Sequence, residues 1–106
     1  MELTVFARFH IRAGTEPAAL EALAKTLAGT RAEPGCLGIR AYRATRDACL
    51  FYIHSRWRDE AAFDRHATLP HTVQFLASME AIVDQPREVS RTSCSGSRTG
   101  SNWRMS

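Results

Sequence analysis

Apolar and polar positions alternate along residues 2 to 12, with Leu3, Val5, Ala7, Phe9 and Ile11 on one face and Thr4, Phe6, Arg8, His10 and Arg12 on the other. Both faces are apolar at the centre, which predicts an interior strand. The period then changes. Gly14 and Thr15 supply a turn and a candidate N-cap, Pro17 sits in the first helical turn, and Leu20, Leu23, Ala24, Leu27 and Ala28 make an apolar helical stripe up to about Ala32. Pro34-Gly35 ends that helix. Cys36 to Ala44 returns to alternation as a second strand, and Leu50-Phe51-Tyr52-Ile53-His54 begins a third, rich in aromatic and β-branched residues. The short polar connection Ala44-Thr45-Arg46-Asp47 predicts an antiparallel hairpin with a four-residue loop.

On the third strand, alternation places Phe51, Ile53, Ser55 and Trp57 on one face and Leu50, Tyr52, His54 and Arg56 on the other. Asp59 is placed to cap the helix that follows, in which Ala62, Phe63, His66 and Ala67 share a stripe. Pro70 interrupts that pattern, which restarts with Thr72, Phe75, Leu76, Met79, Ile82 and Val83, and a last strand is expected near Pro86 to Thr92. The order β, α, β, β, kinked α, β predicts an α+β fold of the split βαβ kind, with a four-stranded antiparallel sheet and its helices on one face. The other face then lies uncovered, with Phe6 and Tyr42 on it, and a second copy of the chain is the expected cover.

Composition narrows this picture in three ways. The 106 residues fit one domain, and 44% apolar with 24% charged residues is ordinary for a globular protein. The net charge of +3 does not indicate a nucleic-acid module, because residues 1 to 89 hold eleven basic and eleven acidic side chains, while Arg91, Arg98 and Arg104 lie beyond them without an acid. Residues 90 to 106, SRTSCSGSRTGSNWRMS, contain no Leu, Ile, Val or Phe and read by composition as a flexible tail, with Trp103 as its one sizeable apolar group. Allowing for the last strand, the expected division is a domain over 1 to 92 and a tail over 93 to 106, which could serve as an interaction segment. No apolar run approaches the roughly 18 residues of a membrane span, and no signal segment opens the chain, so the cytoplasm is the expected location.

The candidate chemistry gathers around His66, with Trp57, Phe63 and Tyr52 close by and His54, His71, Arg40 and Arg8 as further neighbours. A desolvated imidazole between helix and sheet favours its neutral form and can accept or direct a proton from a bound phenol. A histidine on such a stripe also serves as a plain core residue, and Trp57 serves equally as a core lid or a substrate platform. Cys36, Cys49 and Cys94 have no CxxC or metal-ligand spacing and read as small buried thiols. A metal is not expected, because His66 and His71 stand five residues apart across a proline with no Cys, Asp or Glu evident to complete a set. Glycine-rich phosphate loops, GxSxG and the dinucleotide fingerprint are all missing, so no cofactor is expected.

ARFHIRAG near the start, TRAEPGCLG at the end of the first helix and FYIHSRWRDEAAFDRHATLPHTVQFL together resemble the antibiotic biosynthesis monooxygenase (ABM) domain family over about residues 2 to 89. The resemblance implies a dimeric ferredoxin-like α+β barrel with a pocket between sheet and helices in each subunit. It also implies oxygenation of anthrones or quinols without metal, flavin or haem, the substrate being held as an electron-rich anion that reacts with O2. His66 matches the family's pocket histidine and Trp57 its tryptophan at the strand end. The family's usual acid two residues before that tryptophan is replaced by Ser55. Haem-degrading relatives place an asparagine and a histidine where this chain has Ala7 and Leu76, which disfavours haem breakdown. The other function class open to this fold is a non-catalytic or isomerase-like small-molecule binder.

Overall fold

The computed structural model describes residues 1–94 and runs β1 (Leu3–His10), α1 (Glu16–Arg31), β2 (Cys36–Arg43), β3 (Leu50–Trp57), α2 (Glu60–His66), α3 (Pro70–Glu80) and β4 (Glu88–Thr92). The strands form one antiparallel sheet in the order β2-β3-β1-β4. This is the split βαββαβ, ferredoxin-like arrangement, and β1 is interior as its two apolar faces predict. The register pairs Leu3 with Trp57 and Phe9 with Phe51. Val5, Ala7 and Phe9 of β1 therefore share the helix-covered face with Phe51, Ile53, Ser55 and Trp57 of β3.

Two clusters fill that face. Phe9, Ile39, Phe51 and Ile53 meet Ala19 and Leu23 of α1 and Phe75 and Met79 of α3, with the Phe9 and Phe75 rings edge to face at 5.6 Å. Leu3, Val5 and Trp57 meet Ala62 of α2 in the second. Each large side chain withdrawn from water in this way contributes roughly 1.5–3 kcal/mol. Asp59 caps α2 as expected, accepting the Ala62 N–H at 2.9 Å.

Several local expectations need correction. The buried stripe of α1 is Ala19, Leu23, Thr26 and Thr30, while Leu20, Ala24 and Ala28 face solvent. Threonines occupy the inner face because part of it borders a cavity instead of solid core. Thr15 makes no side-chain cap; its hydroxyl donates back to Arg12 O at 2.6 Å. The β2–β3 loop is six residues, 44–49, because Asp47 accepts the Cys49 N–H through its side chain and the Leu50 N–H through its carbonyl, folding the chain once more before pairing begins. Ser90, Arg91 and Thr92, tail-like by composition alone, pair with β1 within β4, which bears out the last strand expected near Pro86 to Thr92. Cys36 and Cys49 are half-buried, but Cys94 is exposed. The tail from residue 95 and Trp103 lie outside the described residues.

Among the described residues no helix covers the opposite sheet face. Phe6, Tyr42 and Tyr52 are exposed on it, and Phe6 stacks on His54 at 5.1 Å between centroids. At the far end of β1 from Trp57, His10 sits between two carboxylates, Nδ1 at 2.7 Å from Asp84 and Nε2 at 2.9 Å from Asp47. No helix among the described residues is long and apolar enough to cross a membrane.

Candidate functional site

A cavity of about 400 Å3 opens between the covered face of the sheet and the three helices. Its floor is Val5, Ala7, Phe9, Ile39, Ile53 and Ser55, its walls are Thr26 and Thr30 of α1, Phe63 and His66 of α2 and Thr72, Phe75 and Leu76 of α3, and Val89 and Arg91 of β4 border it. The volume falls within the range that holds small organic ligands. Most of the lining is apolar, with a few hydroxyls and one imidazole. Thr30 Oγ1 is fully buried there and has no hydrogen-bond partner among the described residues. A buried, unsatisfied hydroxyl in a cavity wall is available to a ligand oxygen.

His66 is held from three sides. Its ring lies 4.7 Å from that of Trp57 and 5.5 Å from that of Phe63. Its Nδ1 is 2.7 Å from Glu33 Oε2 and 3.2 Å from the Thr72 hydroxyl. The same Glu33 oxygen is 2.7 Å from Nε2 of His71. The Glu33 side chain is only 7% exposed. An ionised carboxylate only accepts, so each facing imidazole nitrogen donates its N–H. For His66 in its neutral form this selects the Nδ1–H tautomer and leaves Nε2, which has no partner among the described residues, as an acceptor on a ring that lines the cavity.

Two glycines make this cluster possible. Gly35 has φ +90° and its carbonyl accepts the Arg58 N–H at 2.8 Å, while a Cβ there would stand 2.7 Å from Ala62 Cβ. Only glycine allows both the left-handed turn and the close approach, and that turn presents Glu33 to α2. At Gly29 a Cβ would come within 2.9 Å of the His71 ring, so the missing side chain is what admits His71 against α1.

Of the residues expected at the site, Phe63 and His66 line the cavity. Trp57 is fully buried behind them, and its Nε1 donates to Ser55 Oγ at 2.9 Å. The serine in the acid's usual place thus satisfies the indole, and the carboxylate that reaches His66 comes from Glu33 instead. Tyr52, His54 and Arg40 do not join the cavity: the register sets Arg40 opposite His54 and Tyr42 opposite Tyr52 on the uncovered face. Alternation already separates Tyr52 and His54 from Trp57, so this placement follows from the pleat. The expectation that no acid accompanies His66 and His71 is overturned by Glu33, whose ligand atom and theirs all lie within 4.8 Å. Glu33 escapes sequence reading because it stands 33 residues from its partner. The EPG turn was the available signal.

Arg91 was also missed. It bridges Glu60 at 3.1 Å and Asp64 at 2.8 Å and lies 4.8 Å over the Phe63 ring, tying β4 to α2 beside the cavity. Cys36 and Cys49 offer no nucleophile, since burial is the main cause raising both above the usual thiol range.

A family model for antibiotic biosynthesis monooxygenase matches residues 3–78. The chain belongs to the ABM family. Among solved structures, PA3566 from Pseudomonas aeruginosa is 31% identical, with 86% of this chain and 91% of that one covered and a TM-score of 0.79. Rv0793 from Mycobacterium tuberculosis shares 24% identity over 92% of this ABM chain and 99% of its own, with a TM-score of 0.86. SnoaB from Streptomyces nogalater, a cofactor-independent oxygenase, shares 20% identity over 92% and 96%, with a TM-score of 0.80. These last two likenesses establish the fold. No curated protein matches.

Proposed function

We propose that this ABM protein is a monooxygenase that oxidises a small aromatic substrate of the quinol or anthrone type with O2, without metal, flavin or haem. The observation that carries the reading is the Glu33–His66 pair: Nδ1 is engaged by the carboxylate and Nε2 is left to serve the cavity. His66 Nε2 takes the proton of a bound phenol or enol, the base role that positioned histidines fill. The resulting anion passes one electron to O2, and the radical pair joins as a carbon peroxide. Loss of water from that peroxide leaves a carbonyl, so one oxygen atom enters the product and the other leaves as water. The apolar floor holds the ring system, and Thr30 Oγ1 offers a hydrogen bond to a second substrate oxygen.

Ala7 and Leu76 both line the cavity, so the positions that haem-degrading relatives furnish with an asparagine and a histidine are apolar here. The working form is a homodimer in which a second copy covers Phe6, Tyr42 and Tyr52 on the open face. Tyr52, His54 and Arg40 then belong to the subunit contact, and the place of work is the cytoplasm. Sedimentation of the wild type against Phe6→Glu tests the dimer. Oxygen uptake with a panel of hydroquinones and anthrones tests the chemistry: uptake by metal-free protein that falls in His66→Ala supports it. A folded dimer that binds these compounds but consumes no O2 moves the reading to an isomerase-like or non-catalytic binder.

A further inference from the structure

Glu33, His66 and His71 converge from the turn after α1, from α2 and from the first turn of α3. We propose that these three side chains form a binding site for one divalent first-row transition-metal ion of the zinc or cobalt type. Two imidazole nitrogens and one carboxylate oxygen suit such ions, whereas magnesium and calcium prefer all-oxygen sites. One carboxylate with two neutral imidazoles carries a single negative charge, which a dication complements. The carboxylate is 7% exposed and the His66 side chain 12%, so little water competes for the charge, while the His71 side chain at 28% leaves a way in.

The geometry is close to what an ion requires. Both nitrogens lie 2.7 Å from the same Glu33 oxygen, and all three ligand atoms fall within 4.8 Å of one another. Tetrahedral ligands about 2.0–2.1 Å from zinc sit roughly 3.3 Å apart, so each N···O contact must open by about half an ångström and the two nitrogens, within 4.8 Å of each other, must draw together by up to about 1.5 Å. The rings are already aimed, because Gly29 admits His71 and the Trp57 and Phe63 rings pack on His66. Three protein ligands leave a coordination position for water or a small ligand. The ion takes the place of two N–H donors, and each imidazole proton moves to the ring's other nitrogen. For His66 that nitrogen is Nε2, so a loaded site presents a donor to the cavity where the metal-free site presents an acceptor.

The inference goes beyond the oxygenase reading and does not rest on it, because binding is measured with no substrate present. Chelator-treated, desalted full-length protein is titrated with Zn2+ by calorimetry and with Co2+ by visible absorption, with Mg2+ as the control. The expected result is one ion per chain at a Kd on the order of micromolar, weakened about tenfold or more by Glu33→Gln and by His71→Asn. A variant with Cys36, Cys49 and Cys94 all changed to Ser should bind as the wild type does. Binding no tighter than that of Mg2+, or binding kept in His71→Asn and lost in the cysteine variant, overturns the site. Should a ligand variant unfold, imidazole 15N shifts of the wild type decide: Zn2+ must move His66 Nδ1 and His71 Nε2, and unmoved nitrogens overturn the proposal.

Discussion

Two histidine–carboxylate clusters stand at opposite ends of the sheet with inverted stoichiometry. At one end a single imidazole, His10, lies between Asp84 and Asp47; at the other a single carboxylate, Glu33, lies between His66 and His71. Both nitrogens of His10 face carboxylate oxygens, an arrangement that the imidazolium, with a donor on each nitrogen, satisfies in full. The Asp84 hydrogen bond first, then that of Asp47, holds His10 above the usual histidine range. Such a group has no nitrogen left for chemistry. It clamps the β2–β3 loop to the segment after α3, where Arg12 also donates to the Ala81 and Val83 carbonyls. At the Glu33 end each imidazole spends one nitrogen on the carboxylate and keeps the other. The count of acids per imidazole, more than the presence of histidine, separates the clamp from the candidate base.

The largest effect expected from breaking this contrast is on turnover. His66→Ala should lower O2 consumption by about 10²–10⁴-fold, the usual contribution of a positioned proton acceptor, while His10→Asn leaves it within error. Glu33→Gln is next. The amide keeps a carbonyl oxygen for both N–H donors but loses the negative charge and weakens its hold on the His66 tautomer, so kcat should drop about 10–100-fold, and replacing two charge-assisted hydrogen bonds by neutral ones should cost about 1–3 kcal/mol in urea denaturation. Gly35→Ala should then reduce both stability and turnover without touching a reacting group. The φ of +90° and the 2.7 Å approach to Ala62 Cβ must both relax, at about 1–3 kcal/mol, and the turn that presents Glu33 shifts with them.

The smallest effect lies at the clamp and depends on pH. His10 has a folded-state pKa raised above its unfolded value, so its contribution is fully present below the unfolded value and is lost as pH rises through the folded one. Melting curves of wild type and His10→Asn should differ most in mildly acidic buffer. They should converge once the pH has passed above the raised histidine value.

Most of the fold was legible in local pattern. The alternation of Leu3 to Ile11 and of Phe51 to Trp57 specified which residues face the helices, and Asp59 and Pro70 marked where α2 and α3 begin. What escaped depended on partners distant in sequence. Strand β4 was expected near Pro86 to Thr92, but its polar composition hid where it begins, and pairing with β1 starts it at Glu88. The inner face of α1 carries Thr26 and Thr30 because it borders a cavity, so an apolar stripe was the wrong template there. The same holds for the site. His66 and Phe63 were visible on one helix stripe, but Glu33 reaches them only through a glycine turn that no periodicity records. Tyr52, His54 and Arg40 were drawn to the site by residue type, and the pleat sends them to the other face.

The proposed chemistry needs Glu33 to hold His66 with its proton on Nδ1 and a bare Nε2 for the cavity. Long-range 15N–1H correlation of the imidazoles in metal-free protein reads this directly. His66 should show a protonated Nδ1 and an unprotonated, pyridine-like Nε2 at neutral pH, and the pattern should be lost in Glu33→Gln. A proton found on Nε2 of the wild-type ring would contradict it, because the cavity would then face a donor and nothing there could take the substrate's proton.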